Sequence, residues 1–167
     1  MNGTVGSGKT SVAAEIGVLF EFSDVPHAVI DLDELRRGWP APEGDPFNRA
    51  LERANLASVT TNYAASGAQV LVVAGVLETR DDLDAYRGIL GRDLWVVRLD
   101  TPADDVARRL RVRHAASTAD RDWYLARATE LAKILQDADL DHLVVATGGR
   151  TVVEVATDIV ARFSNPL

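Results

Sequence analysis

The chain contains no cysteine. That excludes a disulfide framework and a thiolate metal site, and it suits a protein working in the cytoplasm. Positive charge is also scarce: 18 Lys and Arg stand against 25 Asp and Glu, a formal net charge of −7. So acidic a chain lacks the basic face that the phosphates of DNA, RNA or an anionic membrane demand, and neither nucleic acid nor membrane is an expected partner. Long hydrophobic runs are missing too. The run from Ile16 to Phe22 is broken by Glu21 and is too short to span a bilayer. No basic region precedes it, so it is not a signal peptide. Lysine occurs only as Lys9 and Lys133, among many arginines. The three histidines, His27, His114 and His142, fall far apart without metal-ligand spacing and read as structural or surface residues.

What is present suits one domain with a full core: 167 residues, 47% hydrophobic and 26% charged, with no internal repeat, low-complexity tract or linker. The domain is expected to cover 1–167. Its most informative stretch is Gly3-Thr4-Val5-Gly6-Ser7-Gly8-Lys9-Thr10, which fits the phosphate-binding loop G-x-x-x-x-G-K-[ST] at every fixed position. The glycines let several backbone N–H groups converge on one concave spot. The helix that follows points its positive N-terminus there as well. Lys9 adds a full charge where β- and γ-phosphates lie, and Thr10 offers a hydroxyl to Mg²⁺. That this loop carries one of only two lysines, where arginine is used elsewhere, supports a functional role. Such a loop normally follows a buried strand. Only Met1 and Asn2 precede Gly3, so the first strand is expected to be largely missing from the given sequence.

Apolar periodicity then predicts helix over 8–22, strand over 27–31 and helix over 47–66, with Leu51, Ala54 and Val59 facing inward. Strand 70–74 follows, then helix 79–90 opened by Thr79, strand 94–99, and a helix from Pro102 to about His114. Residues 115–121 read as a mobile connection, 122–137 as helix, and 143–146 as the last strand. Thr151 and Glu154 form a capping box that opens a final helix to about Phe163. Strands alternating with helices argue an α/β fold, a parallel sheet with helices on both faces.

Two further groups carry chemistry. Asp31 and Asp33 stand at the carboxyl end of a strand, the edge where ligands bind in an open α/β sheet. One carboxylate suits Mg²⁺ and the other suits a hydroxyl that must lose its proton. Arg109 and Arg113, at i and i+4, share a helix face just before the connection and can neutralise charge on a transferred phosphoryl group. Arg36, Arg37, Trp39 and Glu78 follow strand ends on the acceptor side. Two arginines there leave an anionic acceptor open; Trp39 suits packing on an acceptor ring or, as the preferred reading, an aromatic at the edge of the core.

The chain resembles the small P-loop kinases of metabolites and nucleotides, the group that holds shikimate, gluconate, adenylylsulfate and adenylate kinases and chloramphenicol phosphotransferase. Gly3 to Thr10, Asp31-Leu32-Asp33 and Arg109-Leu110-Arg111-Val112-Arg113 carry the resemblance. It implies a three-layer P-loop fold with strand order 2-3-1-4-5, a lid-like segment at about 114–122, and ATP with Mg²⁺. Nucleotide binding would fall to Gly3, Val5, Gly6, Ser7, Gly8, Lys9, Thr10 and Ser11, with Arg109 on adenine, Arg113 on phosphate, and Gly149 and Arg150 edging the base. Thr10 and Asp31 would hold the metal. Lys9, Asp33 and Arg113 would be catalytic, with Asp33 as base. The expected function is transfer of the γ-phosphoryl of Mg·ATP to a small molecule's hydroxyl. The alternative is an ATP-binding module or ATPase without an acceptor.

Overall fold

The computed structural model describes residues 1–91 and 94–164. Four strands are parallel-paired in two couples. β1 (His27–Asp31) pairs with β2 (Val70–Ala74), and β3 (Val97–Asp100) pairs with β4 (Leu143–Ala146). Between the couples lie Met1 and Asn2. On one side Met1 N donates to Val73 O at 2.6 Å and Gly75 N to Met1 O at 3.1 Å. On the other, Asn2 N donates to Val97 O at 2.7 Å and Leu99 N to Asn2 O at 3.0 Å. These two residues therefore stitch the couples into one sheet, read across as β1, β2, Met1–Asn2, β3, β4. At the opposite end from the loop, an apolar cavity of about 200 Å³ opens between β2 and residues 94–97.

Among the described residues, seven helices pack around this sheet: α1 (Lys9–Phe22), α2 (Leu32–Leu35), α3 (Arg49–Ala65), α4 (Arg80–Leu90), α5 (Ala103–Arg113), α6 (Thr118–Ala138) and α7 (Val152–Ser164). Strand alternation sorts the core into layers. Val72, Ala74, Val97, Leu99 and Val145 meet Val12, Ile16 and Phe20 of α1 and Val155 and Ile159 of α7. On the other face Ile30, with Leu71 and Val73, meets Leu56 of α3 and Tyr86 of α4. The three-layer α/β fold is thus the one expected from the sequence. The expected helix start at Thr79 and the expected capping box at Thr151 are both formed: Asp82 N donates to Thr79 Oγ1 at 3.1 Å, and Glu154 N to Thr151 Oγ1 at 3.2 Å.

Three expectations are corrected. The strand expected over 94–99 runs instead from Val97 to Asp100, the stretch that pairs with Leu143–Ala146. The connection expected over 115–121 shrinks to His114–Ser117, because the Ser117 hydroxyl caps α6 by accepting from Asp120 N at 3.2 Å. On α3, Leu51 and Ala54 face solvent, Val59 is half-buried, and the buried positions are Glu52 and Leu56. A buried carboxylate on the inward face shifts the apolar pattern by one residue.

Candidate active site

The carboxyl ends of the strands open into a cleft of about 460 Å³ whose lining includes Lys9, Thr10, Asp31, Asp33, Arg113 and Glu78. Its floor is the loop between Met1–Asn2 and α1. Gly3, Gly6 and Gly8 hold positive φ angles of 144°, 79° and 100°, backbone that side chains resist. Gly8 is the residue before α1, so the helix N-terminus faces the cleft. Lys9 Nζ donates to Gly3 O at 3.0 Å and Thr4 O at 2.9 Å, crossing its own loop. Burial lowers this ammonium from 10.5 to about 8, while Asp33 and Asp31 oppose the shift.

The loop is clamped from behind. Asn2 is buried; its Oδ1 accepts from Gly3 N at 2.9 Å and Leu77 N at 3.1 Å. Sequence reasoning passed over Asn2, whose only signal was a polar residue in the last strand position before the loop. Arg109 Nη1 donates to Gly6 O at 3.2 Å and Ser7 O at 3.0 Å. Thr101 Oγ1 also reaches Ser7 O, at 3.1 Å, and lies 2.8 Å from Thr147 Oγ1. Ser7 Oγ is buried without a protein partner among the described residues.

Across the cleft, Thr10 Oγ1 donates to Asp31 Oδ2 at 2.7 Å, and Asp31 Oδ1 accepts from Asp33 N at 2.9 Å to cap α2. The capping role and the site role therefore fall on one residue. Asp33 forms an ion pair with Arg36. Arg36 also reaches Glu52 at 3.3 Å, and Glu52 accepts from the Tyr86 hydroxyl. A second network joins Glu78 to Arg49 at 2.5 Å and Arg127 at 2.7 Å. No three His, Cys, Asp or Glu side chains among the described residues converge as a metal site. A hydroxyl beside one carboxylate is the hard-oxygen donor set that suits Mg²⁺ held mainly by phosphate and water, so Thr10 and Asp31 fit that ion.

Searches against known proteins found no matching family model and no matching curated sequence. Solved structures do match over nearly the whole chain. The structure of Mycobacterium tuberculosis APS kinase in complex with AMPPNP and APS superposes with a TM-score of 0.63 at 20% identity, covering 98% of this chain and 95% of that one. The fold is that of the P-loop kinases. Acinetobacter baumannii shikimate kinase in complex with shikimate matches at TM-score 0.62 and 22% identity over 99% of this chain and 92% of that one. The Deinococcus radiodurans tunicamycin resistance protein matches at 0.65 and 20% over 97% and 92%.

Within this P-loop kinase fold, the cleft gathers Val5, Gly6, Gly8, Lys9, Thr10, Asp31, Asp33 and Arg113 from the expected set. Gly3 and Ser7 lie buried in the loop's own turn, and Ser11 is exposed on α1. Arg109 holds the loop from the α5 side. Arg150 stands outside the cleft: its guanidinium donates to Ala146 O at 3.1 Å and Glu154 O at 2.9 Å and pairs with Asp158 at 3.3 Å. It thus closes the Gly149 turn onto α7. Trp39, read as an aromatic at the core edge, is 94% exposed, in a stretch over 38–46 that forms neither helix nor strand. His114, read as structural or surface, stacks on Tyr124 at 4.1 Å, and both line the cleft. Its role was invisible in sequence because the partner sits ten residues away, beyond the α5–α6 turn.

Proposed function

We propose that this protein is an ATP-dependent phosphotransferase that moves the γ-phosphoryl group of Mg·ATP to a hydroxyl of a small molecule. One observation carries this reading: the loop hydroxyl Thr10 and the carboxylate Asp31 meet at 2.7 Å beside a second carboxylate, Asp33, in the cleft that holds Lys9.

In this reading the loop amides and the α1 N-terminus hold the β- and γ-phosphates. Lys9 leaves the carbonyls of Gly3 and Thr4 to follow the migrating charge. Thr10 and Asp31 would hold Mg²⁺, which when bound supplies positive charge between the phosphates. Asp33 orients the acceptor hydroxyl and takes its proton. The acceptor oxygen bonds to the γ-phosphorus as the bond from that phosphorus to the β,γ-bridging oxygen breaks, and ADP leaves. Arg113, the lining arginine without a carboxylate partner among the described residues, faces the developing charge. No helix among the described residues is long and apolar enough to cross a membrane.

The test is ADP release from Mg·ATP with and without pooled hydroxyl compounds, in the wild type and in Asp33→Asn. The expected result is stimulation by a pool, lost in Asp33→Asn with ATP affinity retained. A steady rate indifferent to every pool and to Asp33→Asn, but lost in Lys9→Ala, would establish an ATPase instead.

A further inference from the structure

The acceptor half of the cleft carries charge that is already spoken for. Arg36 is shared by Asp33 and Glu52, Arg49 by Glu78 and Asp82, and Arg127 by Glu78 and Glu130. Arg37 pairs with Glu34 at the rim. An anionic acceptor would have to draw one of the half-buried guanidiniums from carboxylates that hold it from two sides, leaving a carboxylate unpartnered. Lys9 and Arg113 form no ion pair with a carboxylate among the described residues, and they are near enough that Arg113 contributes to lowering the Lys9 ammonium. They belong to the phosphates.

What this half offers instead is aromatic surface. Phe47 and Trp123 line the cleft yet remain 41% and 51% exposed. Trp123 meets Tyr124 edge-on at 4.8 Å and 85°, and Tyr124 is backed by His114. The Arg127 guanidinium lies over Phe47 at 5.8 Å. The ion pairs from Arg127 and Arg49 to Glu78 tie this wall to the end of β2. The elements expected around the nucleotide base, Arg109 and the Gly149 turn, belong to the β3–β4 side. Exposed ring faces in a concavity of neutralised charge favour a flat, uncharged surface.

We propose that the acceptor is an uncharged, ring-bearing alcohol whose ring packs on Trp123 and Phe47 while its hydroxyl reaches Asp33. This rests on the phosphotransferase reading for the hydroxyl and on the aromatic wall alone for the ring.

Two readouts separate the two. Binding of thymidine and 2-phenylethanol, against gluconate and shikimate, is followed by ligand-observed NMR at millimolar concentration with Mg·ADP present. Transfer from Mg·ATP to the same four probes is followed by ADP release and product mass. The expected result is binding and transfer for a ring-bearing probe and not for the carboxylates. Trp123→Ala should weaken the acceptor about tenfold and leave the ATP KM unchanged, with Trp123→Phe restoring most of the loss. Ring-probe binding lost in Trp123→Ala but no phosphorylated product would sink the phosphotransferase reading and leave the ring subsite standing. Transfer to gluconate or shikimate alone would overturn the ring subsite and leave the phosphotransferase. Absence of binding by both ring probes, or binding indifferent to Trp123→Ala, would overturn the proposal.

Discussion

Glu52→Ala tests whether the site is held from inside the core. Glu52 is 2% exposed on α3, pairs with Arg36 at 3.3 Å and accepts from the Tyr86 hydroxyl. Truncation leaves the hydroxyl and a half-buried guanidinium each short of a partner. Breaking a buried pair from one side costs about 3–5 kcal/mol. Arg36 retains Asp33, so the lower end, about 3 kcal/mol, is expected, a fall in Tm of roughly 6–12 °C for a domain of this size. Glu52→Gln keeps a neutral acceptor for both donors and should cost only about 1–2 kcal/mol. Urea unfolding at constant m-value reads both numbers. The pH dependence adds a sign. Burial pushes the Glu52 carboxyl above its ordinary 4.5, against the Tyr86 hydroxyl and Arg36, which pull it down. Between 4.5 and that raised value the folded state binds more protons than the unfolded one, so stability contributed here falls as pH rises through the window. Glu52→Gln should abolish that slope. A Glu52→Ala protein within about 1 kcal/mol of wild type would refute the reasoning, because a buried partner cannot be lost so cheaply.

Two more outcomes follow from the loop. With Lys9 lowered to about 8 and raised again by bound phosphate, ATP affinity should be level below about pH 8 and weaken by up to tenfold per unit above it; isothermal titration that stays level to about pH 9 would remove Lys9 from the phosphate site. Gly6→Ala forces a side chain onto φ 79° with Leu110 Cγ only 3.1 Å from the new Cβ, so strain of about 1–3 kcal/mol should appear as roughly 5- to 150-fold weaker nucleotide binding. Gly67→Ala, at φ 98° in open space, should change stability alone, and equal losses of binding in both variants would contradict the loop assignment.

The parts of this fold that were legible in the sequence are those where one residue type answers one local demand. The loop glycines announce positive φ, Thr79 and Thr151 announce helix starts, and the apolar run Val70–Ala74 announces a buried strand. What escaped depends on partners distant in the chain. Glu52 reads as solvent-facing until Arg36 and Tyr86 arrive from two other elements, and His114 reads as incidental until α6 turns back to bring Tyr124 against it. Trp39 misled in the other direction, since nothing local distinguishes an aromatic that packs from one that stays in water. Asp31 shows a third case, where the one side chain that meets Thr10 in the site also caps α2.

The phosphate loop draws on both halves of the sheet. Met1 bonds to the β2 side and Asn2 to the β3 side, and the loop leaves from between them at Gly3. Groups that would surround a bound polyphosphate come from both banks: Asp31 from the β1 bank, and Arg109 with Thr101 from the β3 bank. Under the proposed function, a nucleotide seated there would touch both halves of the sheet at once, and its binding is expected to slow amide exchange at Gly75 and Leu99.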